Sequence, residues 1–551
     1  MSRPDGTEQD ERHVFLRAED VRVMVVEAKD SPAGLRIYRT WIDGLLDLDF
    51  LTMTGPLVLV GCHFTGELTM RHAQIATIDL SGSAVWDVRA EGLRTRQFEM
   101  THARCADLFD LDHAQVDGSL SLNGSSVGSF TAYGLRVGGS FTARGLYAHP
   151  RFRGGTALFL LNCEVGGDLL LDDAVVTGLG GSAVVADGTR IRGMVSAAGA
   201  VLRGDGASDA VSLIDCIAGA LELTGAVLRA QEGSALNADG AQFRAEATLK
   251  WIDAVSRGPA ATVQMIDTRI GAGLLLTGLV RNRGGRAVLL HKTAVEASLS
   301  VREAEIDAVT GNSALEISNC DVASALVLLS HRIVNRGDGL QLDLVMTGAG
   351  RALVLDTGGL TDVTLNGLTY PEPTGDTDAW LRVLRDHTHD YEAQPYQQLA
   401  AVHRAAGHEH TARRVLIAQQ EDLRRRGDPG NRLWHWFLGV TLGYGHRPSR
   451  AVAGLLVTFL LAVGLVWTAG AAGGLTPAKD RPAESCSPVN RISLAADLAI
   501  PLVKLGGTPR CELANGPAGQ WATGAGWAVQ ILGWSFATLS VAGFTGLVRK
   551  S

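Results

Sequence analysis

The residues best suited to chemistry in this chain are seven cysteines, because a thiolate can act as a nucleophile, a metal ligand or a redox centre. Cys163, Cys216 and Cys320 occupy the same position of an internal repeat. They lie whole repeats apart, and the chain has no CxxC pair, the spacing typical of metal and redox motifs. This spacing favours a column of small buried thiols, with a metal or redox ladder as the alternative.

Three other kinds of residue set could do chemistry: histidine pairs, adjacent acids and glycine loops. They are His387 with His389, His408 with His410, Asp172 with Asp173, Gly271 with Gly273, and Gly348 with Gly350. Helical residues two apart point to different sides, and the acid pair has no supporting feature for glycoside hydrolysis. Neither glycine set completes GxGxxG in a strand–turn–helix unit. We therefore predict exposed histidines, a solvated turn and coil glycines, with no catalytic, metal or cofactor site.

An internal repeat positions most of these residues. Seven copies run from about Ala157 to Gly339 in steps of 25 to 27 residues. Each copy contains a turn former, then a compact side chain, then a short apolar run. The turn positions are Asn162, Gly188, Asp215, Gly240, Asp267, Lys292 and Asn319, with Lys292 as the exception, and the compact ones are Cys163, Thr189, Cys216, Ala241, Thr268, Thr293 and Cys320. A fixed period of this length predicts a mainly β protein built on a parallel β-helix solenoid.

The chain divides into six predicted regions: an N-terminal cap at 1–33, the solenoid at 34–370, a helical hairpin with a juxtamembrane collar at 371–450, a transmembrane helix at 451–469, a loop at 470–526 and a second transmembrane helix at 527–548. Coils of about 20 residues precede residue 157, and coils of about 26 follow it. The extra residues of each long coil, as in 177–182, predict loops that project from one side. Such loops are where a solenoid commonly binds its partner.

The two uncharged runs near the C-terminus are long enough to cross a bilayer. Arginines precede the first run, and Arg549 and Lys550 follow the second, so the positive-inside rule places both ends in the cytoplasm. No apolar stretch near the N-terminus resembles a signal peptide, so we expect a cytoplasmic solenoid as well.

The segments beside these runs carry two further predictions. Arg424, Arg425 and Arg426, followed by Trp434 and Trp436, predict a collar at the membrane surface. A solvated helix end is the alternative for the three arginines. Cys486 and Cys511 are the only cysteines of the outer loop, so an extracytoplasmic disulfide can form there.

The outer loop also has the outline of a pore domain. A short amphipathic segment at 494–503 precedes the turn Leu505, Gly506 and Gly507, between the two predicted membrane helices. This order is similar to a two-helix potassium-channel module, but the turn does not match a TVGYG-like filter. A degenerate module used as an anchor or for oligomerisation is therefore favoured over a working pore.

The C-terminal third carries a recognisable set of segments: 365–370, 394–399, 412–415, 441–448 and 497–503. Together with the coils, they resemble a bacterial family labelled "membrane-associated oxidoreductase" over about residues 34–550. The resemblance implies a pentapeptide-like or β-helical N-terminal region, two C-terminal membrane helices, an inner-membrane location and an oxidoreductase activity. It supplies no catalytic residues.

Composition narrows the functional classes. The net charge of -8 gives no case for nucleic acid binding. We therefore expect a membrane-anchored scaffold or interaction protein, with the lipid bilayer, a protein partner on the solenoid surface and other copies of the chain as candidate partners. Two alternatives remain open: the oxidoreductase that the resemblance implies, and a degenerate channel-like module gated or assembled by the solenoid.

Overall fold

The computed structural model describes residues 14–356, 359–372, 375–426, 449–477, 486–500 and 511–545. The chain divides into two compact units, with the boundary between Gln398 and Leu399. The first unit is a parallel β-solenoid with short helices at both ends. The second unit is α-helical and contains one small β-ribbon.

Each coil of the solenoid has four sides. One coil contains Val184–Val185, Arg190–Ile191, Met194–Ser196 and Val201–Asp205, and the next coil begins at Val211–Ser212. Each of these strands pairs in parallel with its counterparts in the coils before and after it. The strands thus form four ladders, named faces 1 to 4 in chain order, and faces two apart lie on opposite sides. The predicted parallel β-helix is confirmed, with about 13 turns.

The strands of each face are short. Face 1 contains Leu46–Asp47, Leu68–Thr69, Val88–Arg89, Leu158–Phe159, Val184–Val185, Val211–Ser212, Leu236–Asn237, Val263–Ile266, Val288–His291, Ser313–Ser318, Leu340–Asp343 and Val363–Thr364. Face 2 contains Gln115–Val116, Arg136–Val137, Glu164–Val165, Arg190–Ile191, Ile217–Ala218, Gln242–Phe243, Arg269–Ile270, Ala294–Val295, Asp321–Val322 and Gly348–Ala349. Face 3 contains Leu35–Tyr38, Leu120–Ser121, Phe141–Thr142, Leu169–Leu170, Met194–Ser196, Ala220–Glu222, Ala325–Leu329 and Ala352–Leu355. Face 4 contains Val14–Arg17, Thr40–Asp43, His63–Phe64, Ala84–Val85, Tyr147–Ala148, Val175–Leu179, Val201–Asp205, Val227–Ala230 and Arg332–Asn335.

The remaining solenoid strands turn a corner and contribute to two faces. Faces 2 and 3 share Thr52–Val60, Gln74–Asp79 and Arg94–Glu99; faces 4 and 1 share Arg104–Asp110 and Ser126–Thr131; faces 3 and 4 share Ala247–Ser256, Leu274–Asn282 and Leu299–Ala308. Strands run directly from face 4 into face 1 only in the early coils, where no loop separates these faces.

The register gives the two predicted coil lengths. Successive partners on face 3 are Leu57, Ile78, Phe98, Leu120, Phe141, Leu169, Val195, Leu221, Ala247, Leu274, Leu299, Leu326 and Leu353. The step is about 21 residues as far as Phe141 and about 26 from Leu169 onward. The difference arises at the corner between faces 4 and 1.

Inward-pointing apolar side chains fill the solenoid. In the early coils Phe98, Phe109, Phe130 and Phe141 pack in sequence, with ring centroids 5.3 to 5.5 Å apart. All four rings are buried, because alternate residues of a strand point to opposite sides and faces 1 and 3 turn these positions inward. The later coils use mainly Leu, Val and Ala at the same positions.

Sharp corners explain the repeat pattern. All seven predicted turn positions, including Lys292, have positive φ between 51° and 68°. This left-handed conformation turns the chain from face 1 to face 2, and it favours Gly, Asn and Asp. The compact residue that follows each turn is buried, with at most 3% of its surface exposed. The pattern therefore encodes a corner geometry.

Helix α1 (Ala18–Ala28) packs against the N-terminal coil. It buries Ala18, Val21 and Val25, and Arg22 Nε donates to the carbonyl of Asp47 at 2.8 Å. The strand before it, Val14–Arg17, already pairs with Thr40–Asp43, so the coils begin inside the stretch predicted to be a cap.

The C-terminal end of the solenoid is covered by α2 (Thr377–Arg382), a π-helical turn (Val383–His387) and the first part of α3 (Ala393–Ala405). Gln394 accepts from the Gly367 N–H at 2.9 Å and donates to the Leu368 carbonyl at 3.1 Å. Gln398 donates to the Tyr370 carbonyl at 2.6 Å. These side chains satisfy backbone groups that have no further coil to pair with.

The second unit begins within α3, which is followed at Gly407 by α4 (Glu409–Arg426). Three further helices are described: α5 (Ser449–Ala471), α6 (Pro488–Ala499) and α7 (Pro517–Thr545). An antiparallel ribbon pairs Leu475–Pro477 with Cys511–Leu513. It joins the C-terminal end of α5 to the N-terminal end of α7.

Two membrane helices were predicted, and the structure contains one candidate span. Among the described residues, only Val452–Ala471 in α5 is long and apolar enough to cross a bilayer. The second predicted span is helical as far as Thr545, but polar side chains such as Gln530, Ser535 and Thr538 interrupt its described part. The two-span topology is therefore not established by helix length and composition.

Candidate functional site

The main candidate site is the edge between faces 4 and 1, here called the insertion edge. Loops occupy this edge from about residue 149 onward, for example at 206–210, 231–235 and 257–262. They add the extra residues of each long coil, as the repeat predicted. Because successive coils stack in register, the loops lie above one another along one side of the solenoid.

Buried polar side chains hold these loops in place. The Asn282 amide nitrogen donates to the carbonyls of Ala260 and Arg286 at 2.6 and 2.7 Å. Its oxygen accepts from the N–H groups of Gly284 and Gly285 at 2.8 and 2.7 Å. In the preceding coil, Ser256 Oγ donates to the Gly233 carbonyl at 2.7 Å. The loops are thus braced both within a coil and between coils, which gives the insertion edge a defined shape.

An open groove of about 550 Å³ lies beside these loops, on the outer surface of face 4. Four arginines line it: Arg203, Arg229, Arg257 and Arg283. Its other lining residues are Thr177, Gly204, Asp205, Ala230, Gln231 and Val255. We call this site the arginine groove. Asp205 is its only acidic lining residue, so the groove is strongly basic in a chain with a net negative charge.

The four arginines differ in their partners. Arg229 forms an ion pair with Asp253 and also donates to the Leu228 carbonyl at 3.0 Å. Within the described residues, no ion pair or side-chain hydrogen bond joins the guanidinium groups of Arg203, Arg257 or Arg283 to the protein. All three of these side chains are exposed. The groove therefore offers three unneutralised cations to solvent.

Cys163 and Cys320 are part of a hydrogen-bonded column at the corner between faces 1 and 2, where the buried Cys216 also lies. Cys163 Sγ donates to the Ala132 carbonyl at 2.7 Å, and Cys320 Sγ donates to the Leu290 carbonyl at 3.3 Å. Thr268, Thr293 and Thr347 donate to the preceding coil in the same way, at 2.7 to 2.9 Å. A thiol here has the same role as a threonine hydroxyl.

Burial also makes these thiols poor nucleophiles. It raises the pKa of Cys163 and of Cys216 to about 12, and that of Cys320 to about 11. With pKa values this high, the thiols stay protonated at neutral pH. They are therefore unreactive, because the thiolate is the reactive form. This geometry supports the column of structural thiols over the metal or redox ladder.

The other predicted chemical groups also have structural roles. Asp172 pairs with Arg144 at 3.1 Å and accepts from Ser196 Oγ, and Asp173 forms a corner with a φ of 56°. A Cβ on Gly271 would lie 2.2 Å from the Arg244 carbonyl oxygen, so this glycine permits close contact between coils. These residues serve the coil geometry.

The histidines are dispersed between a π-helical turn, the loops on either side of α3, α3 itself and α4. His403 and His408 have ring centroids 6.2 Å apart, and burial lowers the pKa of His403, with His408 as a second cause. Within the described residues, no group of three or more His, Cys, Asp or Glu side chains could hold a metal ion.

The helices α5, α6 and α7 form a second candidate site. Ala462 and Val466 of α5 pack with Ala495 and Ala499 of α6 and with Val529 of α7. Cys486 and Cys511 form a disulfide, with Cα atoms 5.8 Å apart. The disulfide connects the start of α6 to the ribbon that precedes α7, so it ties all three helices together at one end.

The outward surface of these helices is apolar. Leu456 and Leu460 of α5 are each 60% exposed, and Trp527 and Ile531 of α7 are 66% and 67% exposed. Exposed apolar surfaces of this kind are typical of sites that contact a membrane or another protein. At the end of α5 the Arg491 guanidinium lies 5.9 Å from the centre of the Trp467 ring.

Of the predicted collar and pore-like turn, only the three arginines of the collar lie within the described residues. Arg424, Arg425 and Arg426 end α4, and Arg426 pairs with the buried Asp422 at 3.2 Å. Trp434, Trp436, Leu505, Gly506 and Gly507 lie outside the described residues. The collar and the pore-like turn thus stay predictions.

The arginine groove was missed by the sequence analysis, although a signal existed. Arg203 and Arg229 hold equivalent positions in adjacent repeats, as do Arg257 and Arg283. Aligning the charged positions of the repeats, in addition to the turn and core positions, would have shown these pairs.

The chain matches no protein-family model, and comparisons with curated proteins and with solved structures found no match. No named relative therefore supports the oxidoreductase activity that the resemblance implied.

Proposed function

We propose that this chain is a membrane-anchored scaffold whose solenoid presents the insertion edge to a partner protein. The observation that carries this proposal is the stacking of braced loops along one edge of an unbroken parallel ladder. A rod of this kind holds its loops at fixed spacing, and repeat proteins commonly bind through such surfaces. The buried thiols and coil glycines, which have structural roles, support a binding function over a catalytic one.

Membrane attachment is the second part of the proposal. The exposed apolar surfaces of α5 and α7 and their connection by a ribbon at one end suit a helical hairpin that crosses a bilayer twice. Trp467 and Trp521 lie near that end and are 40% and 64% exposed, which suits an interfacial aromatic belt. In this topology the solenoid and the C-terminus lie in the cytoplasm of a bacterial cell, and the disulfide lies outside.

The topology has a direct test. Reporter fusions after residue 30, near residue 490 and at the C-terminus should read inside, outside and inside, and the full chain should resist carbonate extraction from membranes. Release of the intact full chain by carbonate would overturn the anchoring. An outside signal from the fusion after residue 30 would overturn the cytoplasmic solenoid.

A channel-like module is the second candidate function. The packing of the short helix α6 against both α5 and α7 favours it, because two-helix pore domains pack a short helix against the two long ones. It predicts ion flux through liposomes that contain the full chain, lost on Gly506→Leu. An absence of flux would remove this candidate and leave the scaffold proposal intact.

A further inference from the structure

We propose that the arginine groove binds an acidic peptide segment of a partner protein. This inference rests on the proposed scaffold function and names the chemistry of its partner. Three observations carry it: unneutralised like charges that are stacked in register, the length of the groove, and the positions of the acidic residues around it.

The stacking of arginines is the first observation. Arg203 and Arg229 are Cα partners on adjacent coils, and the register of Ser256 with Asn282 places Arg257 next to Arg283 in the same way. Like charges directly opposite each other in a sheet repel and destabilise it. Asp253 neutralises Arg229, whereas the other three arginines lack a carboxylate partner within the described residues. A bound anion would remove this repulsion.

The extent of the groove selects an elongated ligand. Arg203 and Arg283 are three coils apart, which corresponds to roughly 14 Å at the spacing of neighbouring strands. A single phosphate or carboxylate is too small to contact both arginine pairs. Between the pairs, Gly204, Ala230 and Val255 give small and apolar lining that leaves room for short side chains. An extended chain with carboxylates near each end therefore fits the groove.

The acidic residues favour a peptide over a nucleic acid. Asp205 lines the groove, Asp253 pairs with Arg229, and Glu232 is exposed on the neighbouring loop. Each strand of duplex DNA carries a phosphate for about every 3.4 Å of helix axis, so several phosphates would lie against these carboxylates. A peptide can place its carboxylates opposite the arginines alone and neutral residues opposite the acids. Each contact would then be a charge-assisted, bidentate hydrogen bond.

The test uses the full chain in nanodiscs of zwitterionic lipid, so that the bilayer contributes no net charge. A fluorescein-labelled peptide of alternating Glu and Ala is the probe, its Gln counterpart is the neutral control, and fluorescence anisotropy measures Kd. We expect binding of the Glu peptide that weakens with added salt. The double variant Arg257→Gln/Arg283→Gln should weaken it by about tenfold or more.

The matched control is Arg269→Gln. Arg269 is an exposed arginine of face 2, on the opposite side of the solenoid and at the same height as Arg257 and Arg283. Its loss should leave Kd unchanged, and the thermal unfolding curves should show that all variants are folded. Arg203→Gln is the second variant if the double variant unfolds.

Three results would overturn the inference: no binding of the Glu peptide, equal binding of the Gln peptide, or equal loss in the Arg269→Gln control. Tighter binding of single-stranded DNA or inorganic phosphate at the same arginines would assign the groove to another anion. Each of these results leaves the scaffold proposal standing if the chain stays in the membrane and cross-links a partner through the insertion edge.

Discussion

Arg203 and Arg229 are direct neighbours on adjacent coils of face 4, yet only Arg229 meets a carboxylate, that of Asp253. The repeat thus stacks like charges and neutralises them unevenly. A solenoid surface with only a structural role has no need for this arrangement, because opposite charges in adjacent coils are more stable. The unevenness marks face 4 beside the insertion edge as a surface suited to recognition.

The buried column predicts which substitutions the corners tolerate. Thr268→Val removes the hydrogen bond from Oγ1 to the Ala238 carbonyl, which is 2.8 Å long and buried, and should destabilise the solenoid by about 1–2 kcal/mol. Cys320→Thr keeps a donor for the Leu290 carbonyl and should cost less than about 1 kcal/mol. Urea unfolding of the two variants measures both values, and equal effects would argue against the hydrogen-bonded column.

Asp110 predicts a dependence of stability on pH. Burial, with Asp112 and Glu91 nearby, raises the pKa of Asp110 in the folded protein to about 6 from an ordinary value of 3.8. A group whose pKa is higher in the folded protein than in the unfolded chain stabilises the fold at pH values below the pKa of the unfolded chain. This stabilisation is lost as the pH rises through the pKa of the folded protein. Asp110→Asn should therefore raise the unfolding temperature at pH 7.

A comparison of the original chain and Asp110→Asn at low pH provides the control. Near pH 3.5 the side chain of Asp110 is largely protonated, so the variant and the original chain should unfold at similar temperatures. An equal difference at both pH values would show that Asn acts through packing and not through the lost charge.

Helix packing in the second unit predicts a difference between two glycines of α5. A Cβ on Gly454 would lie 2.5 Å from Cε1 of Phe536 in α7, whereas a Cβ on Gly464 has no neighbour within 4 Å. Gly454→Leu should lower the free energy of unfolding by about 1–3 kcal/mol, because it overpacks the α5–α7 contact. The unfolding temperature measured in detergent should fall accordingly. Gly464→Leu should be close to neutral, and a reversal of this order would contradict the packing.

The cysteines predict a selective labelling pattern. The Cys486–Cys511 disulfide should block a maleimide reagent in intact membranes until a membrane-impermeant reductant is added to the outer side. The five solenoid thiols should react only after denaturation, because all five are buried. A gel-shift reagent counts the labelled cysteines in each state. Labelling of Cys486 without a reductant would show that the disulfide is not formed in the cell.

The repeat made the solenoid predictable, and the corners explain why. A chain that must turn sharply in every coil needs a left-handed residue and then a compact buried one, so both recur with a visible period. Even Lys292, which does not favour this conformation, adopts a φ of 51° because the stacked neighbours impose it.

Features that depend on contacts outside the repeat were not predictable in this way. The hydrogen bonds of Gln394 with the last coil involve residues about 27 positions away, and no local pattern records such a pairing. The arginines of the groove are exposed, so no packing constraint on the sequence identifies them. The structure does not establish the second membrane span, because an uncharged run alone does not distinguish a spanning helix from one with polar side chains such as Gln530.

A membrane-anchored solenoid of this kind should contact its partner through the insertion edge and not through face 2. Site-specific photo-cross-linking in intact membranes tests it most directly, with a photoreactive residue at Ala207 in an insertion loop or at Gln242 on face 2, both of which are exposed. We expect a discrete cross-linked protein from position 207, reduced by Arg257→Gln/Arg283→Gln, and none from position 242. The same product from both positions, or a product from position 242 alone, would contradict it.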